Sequence, residues 1–175
     1  MMLPTRPERG MAMPKAILLC GKVGCGKTTY AGKLMREHVA VLLSADEIML
    51  ALFGNDAGDM HSYYAERTQR YLYQKSLEIL GQGIDVILDW GFWTKASRKA
   101  ARDFFDNAGY TSELHYITVS DEDRIRNLAK RNEEFLNGDR SAYYVDGETA
   151  KIFDSRFEEP TDDEVDLTFE NKHKE

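Results

Sequence analysis

The sequence predicts an α/β domain in which a mainly parallel, five-stranded sheet lies between two layers of helices. Short apolar runs of strand length alternate along the 175 residues with longer segments that have a helical pattern of apolar and charged side chains. The first apolar run leads into a glycine-rich turn, and a helical segment follows that turn directly. Strands that alternate with helices form parallel sheets through right-handed crossovers, which gives the predicted three layers.

The glycine-rich turn carries a phosphate-binding pattern. After the apolar residues 16–20, Gly21 is followed by four residues and then by Gly26, Lys27 and Thr28, as in the P-loop G-x-x-x-x-G-K-[ST]. Backbone N–H groups of such a loop converge on phosphate oxygens, the lysine reaches the β- and γ-phosphates, and the hydroxyl binds Mg²⁺. The alternative is a glycine-rich turn with an incidental lysine, but the flanking strand and helix favour the P-loop. The sequence therefore predicts a three-layer α/β/α P-loop NTPase. The predicted nucleotide-binding residues of the loop are Gly21, Val23, Gly24, Cys25, Gly26, Lys27, Thr28 and Thr29.

The remaining elements follow from hydrophobic periodicity and from turn residues. Helices are predicted over residues 28–38, 44–53, 61–80, 94–107, 120–136 and 147–157, and strands over 39–43, 84–88, 114–119 and 165–169. Ser44 and Ser120 each precede an acidic residue by three positions, which is typical of helix N-caps. The second and third strands are continuous apolar runs, typical of strands buried on both faces, whereas the last strand is predicted at the sheet edge.

Two carboxylates follow strands of the predicted sheet. Asp46 comes three residues after the second strand, and Asp89 comes directly after the third strand. Ligands gather at the carboxyl ends of parallel strands, so both side chains are expected beside the P-loop. Asp46 could accept the proton of an attacking hydroxyl, or it could be a favourable acid in a first helical turn. Asp89 has the Walker B arrangement and could hold Mg²⁺ together with Thr28, or it could be a turn residue.

Basic side chains crowd the predicted helix 120–136 and the loop after it, which together form a predicted helical lid. The set comprises Arg124, Arg126, Lys130, Arg131 and Arg140. Arginines on a closing segment can stabilise the charge of a phosphoryl group in transfer, so Arg126, Arg131 and Arg140 are expected to bind the nucleotide. A solvated helix face is the alternative for each of them. Arg98 is a weaker candidate for the same crevice.

An aromatic and basic segment, residues 61–73, lies between the second and third predicted strands. Its rings could line an acceptor pocket, or they could pack against the sheet.

Composition and charge narrow the class of protein further. A single globular domain is predicted over residues 15–170, after a flexible extension at 1–14 that lacks the apolar region of a secretory signal. No apolar run approaches the roughly 20 residues needed to cross a bilayer, so no membrane association is expected. The net charge of −7 comes mostly from an acidic C-terminal tail, 158–175, with eight acidic and two basic side chains. The nearly neutral remainder lacks a basic stripe, which disfavours a nucleic-acid partner. Cys20 and Cys25 are expected to be free thiols, which favours the cytoplasm.

In these features the sequence resembles a group of small P-loop kinases, the zeta-toxin, chloramphenicol phosphotransferase and polynucleotide 5′-kinase relatives, often described as AAA-family ATP-binding proteins. The resemblance covers residues 15–164. It is carried by Gly21–Thr29, Ser44–Asp46, Val86–Phe92 with Arg98, Arg124–Arg131 and residues 157–164. The resemblance implies that ATP is the nucleotide and that Asp46 is the catalytic base. It also implies that lid arginines contact the triphosphate, which favours Arg131 and then Arg124 as catalytic residues beside Lys27 of the phosphate loop.

One position departs from the pattern of the polynucleotide-kinase relatives. They read Ser-x-Asp-x-x-Arg, where the arginine grips a phosphate of the acceptor, and this chain has Met49 at the last position. The departure disfavours a phosphorylated or polynucleotide acceptor. The sequence therefore predicts an ATP- and Mg²⁺-dependent phosphotransferase acting on a small-molecule hydroxyl. The alternatives are a polynucleotide 5′-kinase or zeta-toxin-like kinase, and an ATP-binding regulatory switch without an acceptor.

Overall fold

The computed structural model describes residues 13–54, 57–139 and 141–172, and these contain one five-stranded sheet. The strands are β1 (Lys15–Cys20), β2 (Ala40–Ser44), β3 (Asp85–Gly91), β4 (Thr111–Thr118) and β5 (Leu167–Glu170). Their order across the sheet is β2-β3-β1-β4-β5, and every neighbouring pair is parallel. The parallel sheet confirms the predicted α/β class. The N-terminal extension predicted at 1–14 lies mostly outside the described residues, which begin at Met13.

In the described residues, six α-helices connect the strands. They are α1 (Lys27–Glu37), α2 (Ala45–Phe53), α3 (His61–Leu80), α4 (Lys95–Asn107), α5 (Asp121–Leu136) and α6 (Gly147–Arg156). The hydroxyls of Ser44 and Ser120 accept hydrogen bonds from the backbone N–H groups of Glu47 and Asp123, at 3.2 and 3.1 Å. Both predicted N-caps are thereby confirmed, and they set where α2 and α5 begin.

The central strand β1 is buried by helices on both of its faces. On one face Leu18 packs in a core with side chains of α3 and α4, among them Leu72 and Phe105. On the other face Ile17 and Leu19 pack against α1. This three-layer arrangement confirms the predicted architecture. Because β1 is held from both sides, the loop that leaves its carboxyl end starts from a rigid base.

The prediction that both early apolar strands are buried on both faces is wrong for β2. The central residues of β3 are fully buried, as expected, but β2 pairs with β3 alone and forms one edge of the sheet. Val41 in β2 is 36% exposed, and Val39 just before the strand is 82% exposed. A continuous apolar run therefore identified the strand without revealing its place in the sheet. The last strand, β5, lies at the other edge, as predicted.

Carboxylates of the acidic C-terminal segment bind the body of the domain as far as the structure describes it. Glu164 pairs with the buried guanidinium of Arg98, at 3.0 and 3.1 Å. Asp166 accepts a hydrogen bond from the backbone N–H of Leu114 at 2.7 Å and pairs with Arg102. The negative charge of this segment therefore fastens the chain beside β4, while residues 173–175 lie outside the described part.

Arg98 does not join the crevice for which it was a candidate. Its Nη1 also donates to the carbonyl of Glu158 at 2.8 Å and to that of Phe92 at 3.3 Å. All of these partners lie in the turn after β3 or in the C-terminal segment, so Arg98 holds two loops together.

Candidate active site

The phosphate loop, residues 21–26, is enclosed by protein on its outer side. Gly24 and Gly26 have φ values of +84° and +95°, which favour glycine. A Cβ atom on Gly24 would lie 2.8 Å from Cγ of Leu128, so α5 packs directly against the loop. The side-chain amides of Asn127 and Asn171 donate to the carbonyls of Gly24 and Cys25, at 2.9 and 3.2 Å. The carbonyls of Gly24 and Cys25 are therefore bonded to the surrounding protein.

The inner side of the loop offers backbone donors for an anion. The N-cap residue of α1 is Gly26, which has no side chain to bond the first N–H groups of the helix. These groups have no acceptor within the helix and carry the positive end of its dipole. The Lys27 ammonium lies across the loop and donates to the carbonyls of Gly21 and Lys22, at 2.8 and 3.1 Å. This combination fits the phosphates of a nucleotide.

The Thr28 hydroxyl and the Asp89 carboxylate meet near the carboxyl edge of the sheet, and Asp89 lies within β3 and not directly after the strand as predicted, because β3 continues to Gly91. Thr28 Oγ1 donates to Asp89 Oδ2 at 3.1 Å, joining α1 to β3. Asp89 is 7% exposed. Burial raises the pKa of Asp89, while the Lys27 charge and the Thr28 hydrogen bond oppose this rise. Two hard oxygen donors beside a phosphate loop fit Mg²⁺, and a cation would offset the cost of the buried carboxylate.

Asp46 faces the same crevice from the first turn of α2. In the sheet Ser44 pairs with Asp89, so Asp46 follows this point by two residues. The Asp46 side chain is exposed to solvent, although the protein around it removes part of its hydration. This desolvation and the charge of Asp89 raise the pKa of Asp46, against the opposing charges of Lys27, Arg131 and His61. Asp46, Asp89, Lys27 and Arg131, which lie far apart in the sequence, thus interact electrostatically in the folded protein.

Arg131 is the lid arginine that faces Asp46. Burial lowers the pKa of Arg131, and the charge of Asp46 opposes that effect. Within the described residues, its Nε atom is buried without a hydrogen-bond partner. An arginine in this state keeps its donors for another anion, such as a phosphate group.

The other predicted lid arginines differ in their surroundings. Arg124 pairs with both carboxylate oxygens of Asp154 in α6, at 3.0 and 2.7 Å, and lies 3.4 Å from the carbonyl of Val23 in the loop. Arg126 is 59% exposed and bonds to acidic residues of its own helix, so the structure does not bring it to the loop. Arg140 lies outside the described residues. The roles predicted for these three side chains stay predictions.

The aromatic and basic segment, residues 61–73, is divided between core, surface and crevice. Tyr73 packs edge to face on Trp90, with ring centroids 5.2 Å apart, as a core residue. Tyr71 is 58% exposed. The charge of His61, at the start of the segment, lowers the pKa of Asp46. Tyr73 therefore belongs to the core and Tyr71 to the surface, so the two alternatives expected for this segment apply to different residues.

Tyr143 is a residue of the crevice that sequence reasoning missed. Its ring contacts His61 edge to face, with centroids 5.8 Å apart. Burial raises the pKa of Tyr143, and the charge of Asp46 adds to the rise. Tyr143 belongs to an irregular segment between α5 and α6, where no periodicity or spacing marks a residue as functional.

Met49 offers no charge to an acceptor. Its side chain is 1% exposed, and its sulfur accepts a hydrogen bond from the Thr68 hydroxyl at 3.6 Å. Met49 thus packs between α2 and α3.

Cys20 and Cys25 are free and buried, as predicted. Burial raises the pKa of both thiols, that of Cys20 to about 11, so neither is a reactive thiolate.

None of the helices in the described part of the chain is both long enough and apolar enough to span a membrane.

A parallel sheet, a phosphate loop between β1 and α1, and acidic side chains near the ends of the neighbouring strands together define a small P-loop protein. The chain belongs to the AAA domain family AAA_33, whose sequence profile matches residues 17–160. This assignment confirms the group that the sequence resembles. No curated protein matches the sequence significantly.

Solved structures share the fold at low sequence identity. A candidate kinase from Chloroflexus aurantiacus J-10-fl superposes with a TM-score of 0.69 at 20% identity, over 92% of this chain and 87% of that one. A chain of the Pnkp1/Rnl/Hen1 RNA repair complex gives 0.68 at 19% identity, over 87% of this chain but only 46% of its own length. The Mycobacterium tuberculosis APS kinase CysC, in complex with AMPPNP and APS, gives 0.62 at 18% identity, over 93% and 91%. At these identities the likeness establishes the fold.

Proposed function

We propose that this protein transfers the γ-phosphoryl group of ATP to a hydroxyl group of a small molecule. The observation that carries the proposal is the position of Asp46, two residues after Ser44 pairs with Asp89, where the charges of Asp89, Lys27 and Arg131 act on its pKa. A phosphate loop by itself supports nucleotide binding only. A solvent-accessible carboxylate beside it supplies the group that an acceptor hydroxyl needs.

In the proposed reaction the acceptor oxygen attacks the γ-phosphorus while its proton moves to Asp46. A bond forms between the acceptor oxygen and phosphorus, and the bond from phosphorus to the β,γ-bridging oxygen breaks, which leaves ADP. The loop N–H groups and Lys27 hold the phosphates, and Arg131 stabilises charge on the transferred group. Thr28 and Asp89 would hold Mg²⁺, which supplies further charge neutralisation when bound. The partial desolvation that raises the pKa of Asp46 makes it a better proton acceptor than an ordinary aspartate.

Arg124 has a different part in this proposal. Its bidentate pair with Asp154 and its approach to the Val23 carbonyl join α5, α6 and the phosphate loop. We expect Arg124 to hold the lid over the nucleotide, and to reach the triphosphate only where Asp154 releases it.

Replacement of Asp46 by Asn tests the base assignment, with Glu47→Gln as the matched control. Glu47 is the next residue of the same helical turn and is exposed, so its replacement removes a charge without touching the crevice. ADP release is measured with a panel of hydroxyl-bearing metabolites and antibiotics and a 5′-hydroxyl oligonucleotide, and ATP affinity is measured by calorimetry. Asp46→Asn should lower transfer by about 10²–10⁴-fold, while ATP affinity stays within a few-fold and Glu47→Gln stays active.

Unchanged turnover in Asp46→Asn would sink the base assignment. Slow ATP hydrolysis that no member of the panel stimulates would favour a regulatory switch. Transfer to the oligonucleotide alone, with steep salt dependence, would favour a polynucleotide kinase.

A further inference from the structure

His61 and Tyr143 lie close enough to Asp46 for its charge to interact with them, although the proposed phosphate chemistry does not use them. His61 is the first residue of α3, and Tyr143 belongs to the segment between α5 and α6. The two rings contact each other, with centroids 5.8 Å apart and planes at 71°. Burial and then Asp46 raise the pKa of Tyr143, so its hydroxyl remains a neutral donor. Three elements far apart in sequence therefore meet at the reacting carboxylate.

The segment that carries Tyr143 is fastened to α5. The Asn132 side chain donates to the carbonyl of Val145 at 2.7 Å and accepts from its N–H at 3.0 Å. Val145 is itself 5% exposed. Because Asn132 follows Arg131 directly, one turn of α5 holds both the arginine that faces Asp46 and the segment that presents Tyr143.

We infer that His61 and Tyr143 form the acceptor side of the site and bind the ring of a ring-bearing alcohol, with Asn132 positioning Tyr143. This inference rests on the proposed phosphotransferase function. Aromatic rings pack well against the C–H groups of a ring, while the Tyr143 hydroxyl and the imidazole hydrogen-bond to its oxygens. An open-chain alcohol buries less area against the two rings and loses more conformational freedom on binding.

The test compares matched ring and open-chain acceptors, D-glucose with sorbitol and D-ribose with ribitol. The proteins are wild type, Tyr143→Ala, Asn132→Ala and the control Tyr71→Ala, whose side chain is exposed on another face of α3. Phosphorylated product is measured by mass spectrometry and initial rates by ADP release. Wild type should prefer a ring compound by at least about tenfold in kcat/KM, equivalent to about 1.4 kcal/mol. Tyr143→Ala and Asn132→Ala should raise the acceptor KM by about tenfold or more and leave the ATP KM within about twofold.

Several outcomes would overturn this inference. In one, wild type uses ring and open-chain acceptors with equal kcat/KM. In another, Tyr71→Ala raises the acceptor KM as much as Tyr143→Ala does. In a third, Asn132→Ala changes the KM for ATP and leaves the acceptor KM unchanged. Transfer to open-chain alcohols alone, abolished by Asp46→Asn, overturns the inference and leaves the proposed function standing. No transfer to any alcohol, with ATP hydrolysis that is insensitive to Asp46→Asn, overturns both.

Discussion

Replacement of Arg98 by Met is expected to remove a large share of the protein's stability. Arg98 is 2% exposed and donates to both carboxylate oxygens of Glu164, at 3.0 and 3.1 Å. It also donates to the carbonyls of Glu158, Phe92 and Trp93, at 2.8, 3.3 and 3.4 Å. Methionine keeps the apolar stem, but it leaves these carbonyls and the 13% exposed Glu164 side chain without their donor.

The expected loss follows from the burial of the pair. Removing one partner of a buried ion pair costs about 3–5 kcal/mol, because the remaining charge stays desolvated. For a chain of this size the melting temperature should fall by roughly 6–20 °C, at about 2–4 °C per kcal/mol. Lys99, the next residue, is the matched control, since it pairs with Asp103 through side chains that are 73% and 53% exposed. Lys99→Met should therefore cost less than about 0.5 kcal/mol.

The same pair makes stability depend on acid. The hydrogen bonds from Arg98 hold the pKa of Glu164 at about 2, below its ordinary value of 4.5. A carboxyl group whose pKa is lowered by folding stabilises the native state above its unfolded pKa and loses this contribution as the pH falls through the folded pKa. The difference between wild type and Arg98→Met should therefore shrink as the pH falls from about 4.5 toward 2.

Urea unfolding followed by tryptophan fluorescence, at neutral pH and in acid steps, measures both effects. A double variant, Arg98→Met with Glu164→Gln, removes the uncompensated charge and should recover part of the lost stability. A loss no larger than that of Lys99→Met would refute the reasoning, as would a difference that stays constant in acid.

Three further results are expected at the site. Gly24→Val should raise the Kd for ATP by about tenfold or more. A left-handed backbone costs residues other than glycine about 1–2 kcal/mol, and the Leu128 side chain occupies the place of the new Cβ atom. A calorimetric ATP affinity equal to that of wild type would contradict this prediction. Arg131→Ala should lower kcat/KM by at least about 100-fold, whereas Arg126→Ala should stay within about twofold in the same rate assay; similar losses would reverse the ranking. The transfer rate should fall as the pH falls through the pKa of Asp46, which desolvation and then the charge of Asp89 raise above the ordinary aspartate value of 3.8. The pH profile of the rate is measured for wild type and for Asp46→Glu. If the rate of both proteins fell only at the pH of an ordinary aspartate, Asp46 would be excluded as the group that titrates.

The phosphate loop could be predicted from the sequence because its geometry is local. Positive φ at Gly24 and Gly26 and the placement of Lys27 and Thr28 in the first helical turn follow from spacing alone. The bond between Thr28 and Asp89 could be expected for a related reason, since parallel strands bring their carboxyl ends to one edge whatever their separation in sequence.

The arginines could not be ranked in this way. Four arginines lie on helices among other charged residues: Arg98, Arg124, Arg126 and Arg131. The sequence pattern of a charged helix face is the same whether that face is solvated or forms ion pairs with another part of the chain. Arg98 pairs with the carboxylate of Glu164, which lies 66 positions further along the chain. Arg131 has a buried Nε without a hydrogen-bond partner in the described residues, and the charge of Asp46 acts on its pKa.

The sequence by itself determined the strand and helix alternation, the phosphate loop and the two carboxylates at strand ends, because each depends on a pattern within a few neighbouring residues. Only the tertiary structure decided that β2 is an edge strand and that the buried Arg98 forms an ion pair with Glu164. It also decided that Tyr143 contacts His61 near Asp46. Those outcomes depend on contacts between residues that are distant along the chain, and packing alone selects which of many similar side chains make them.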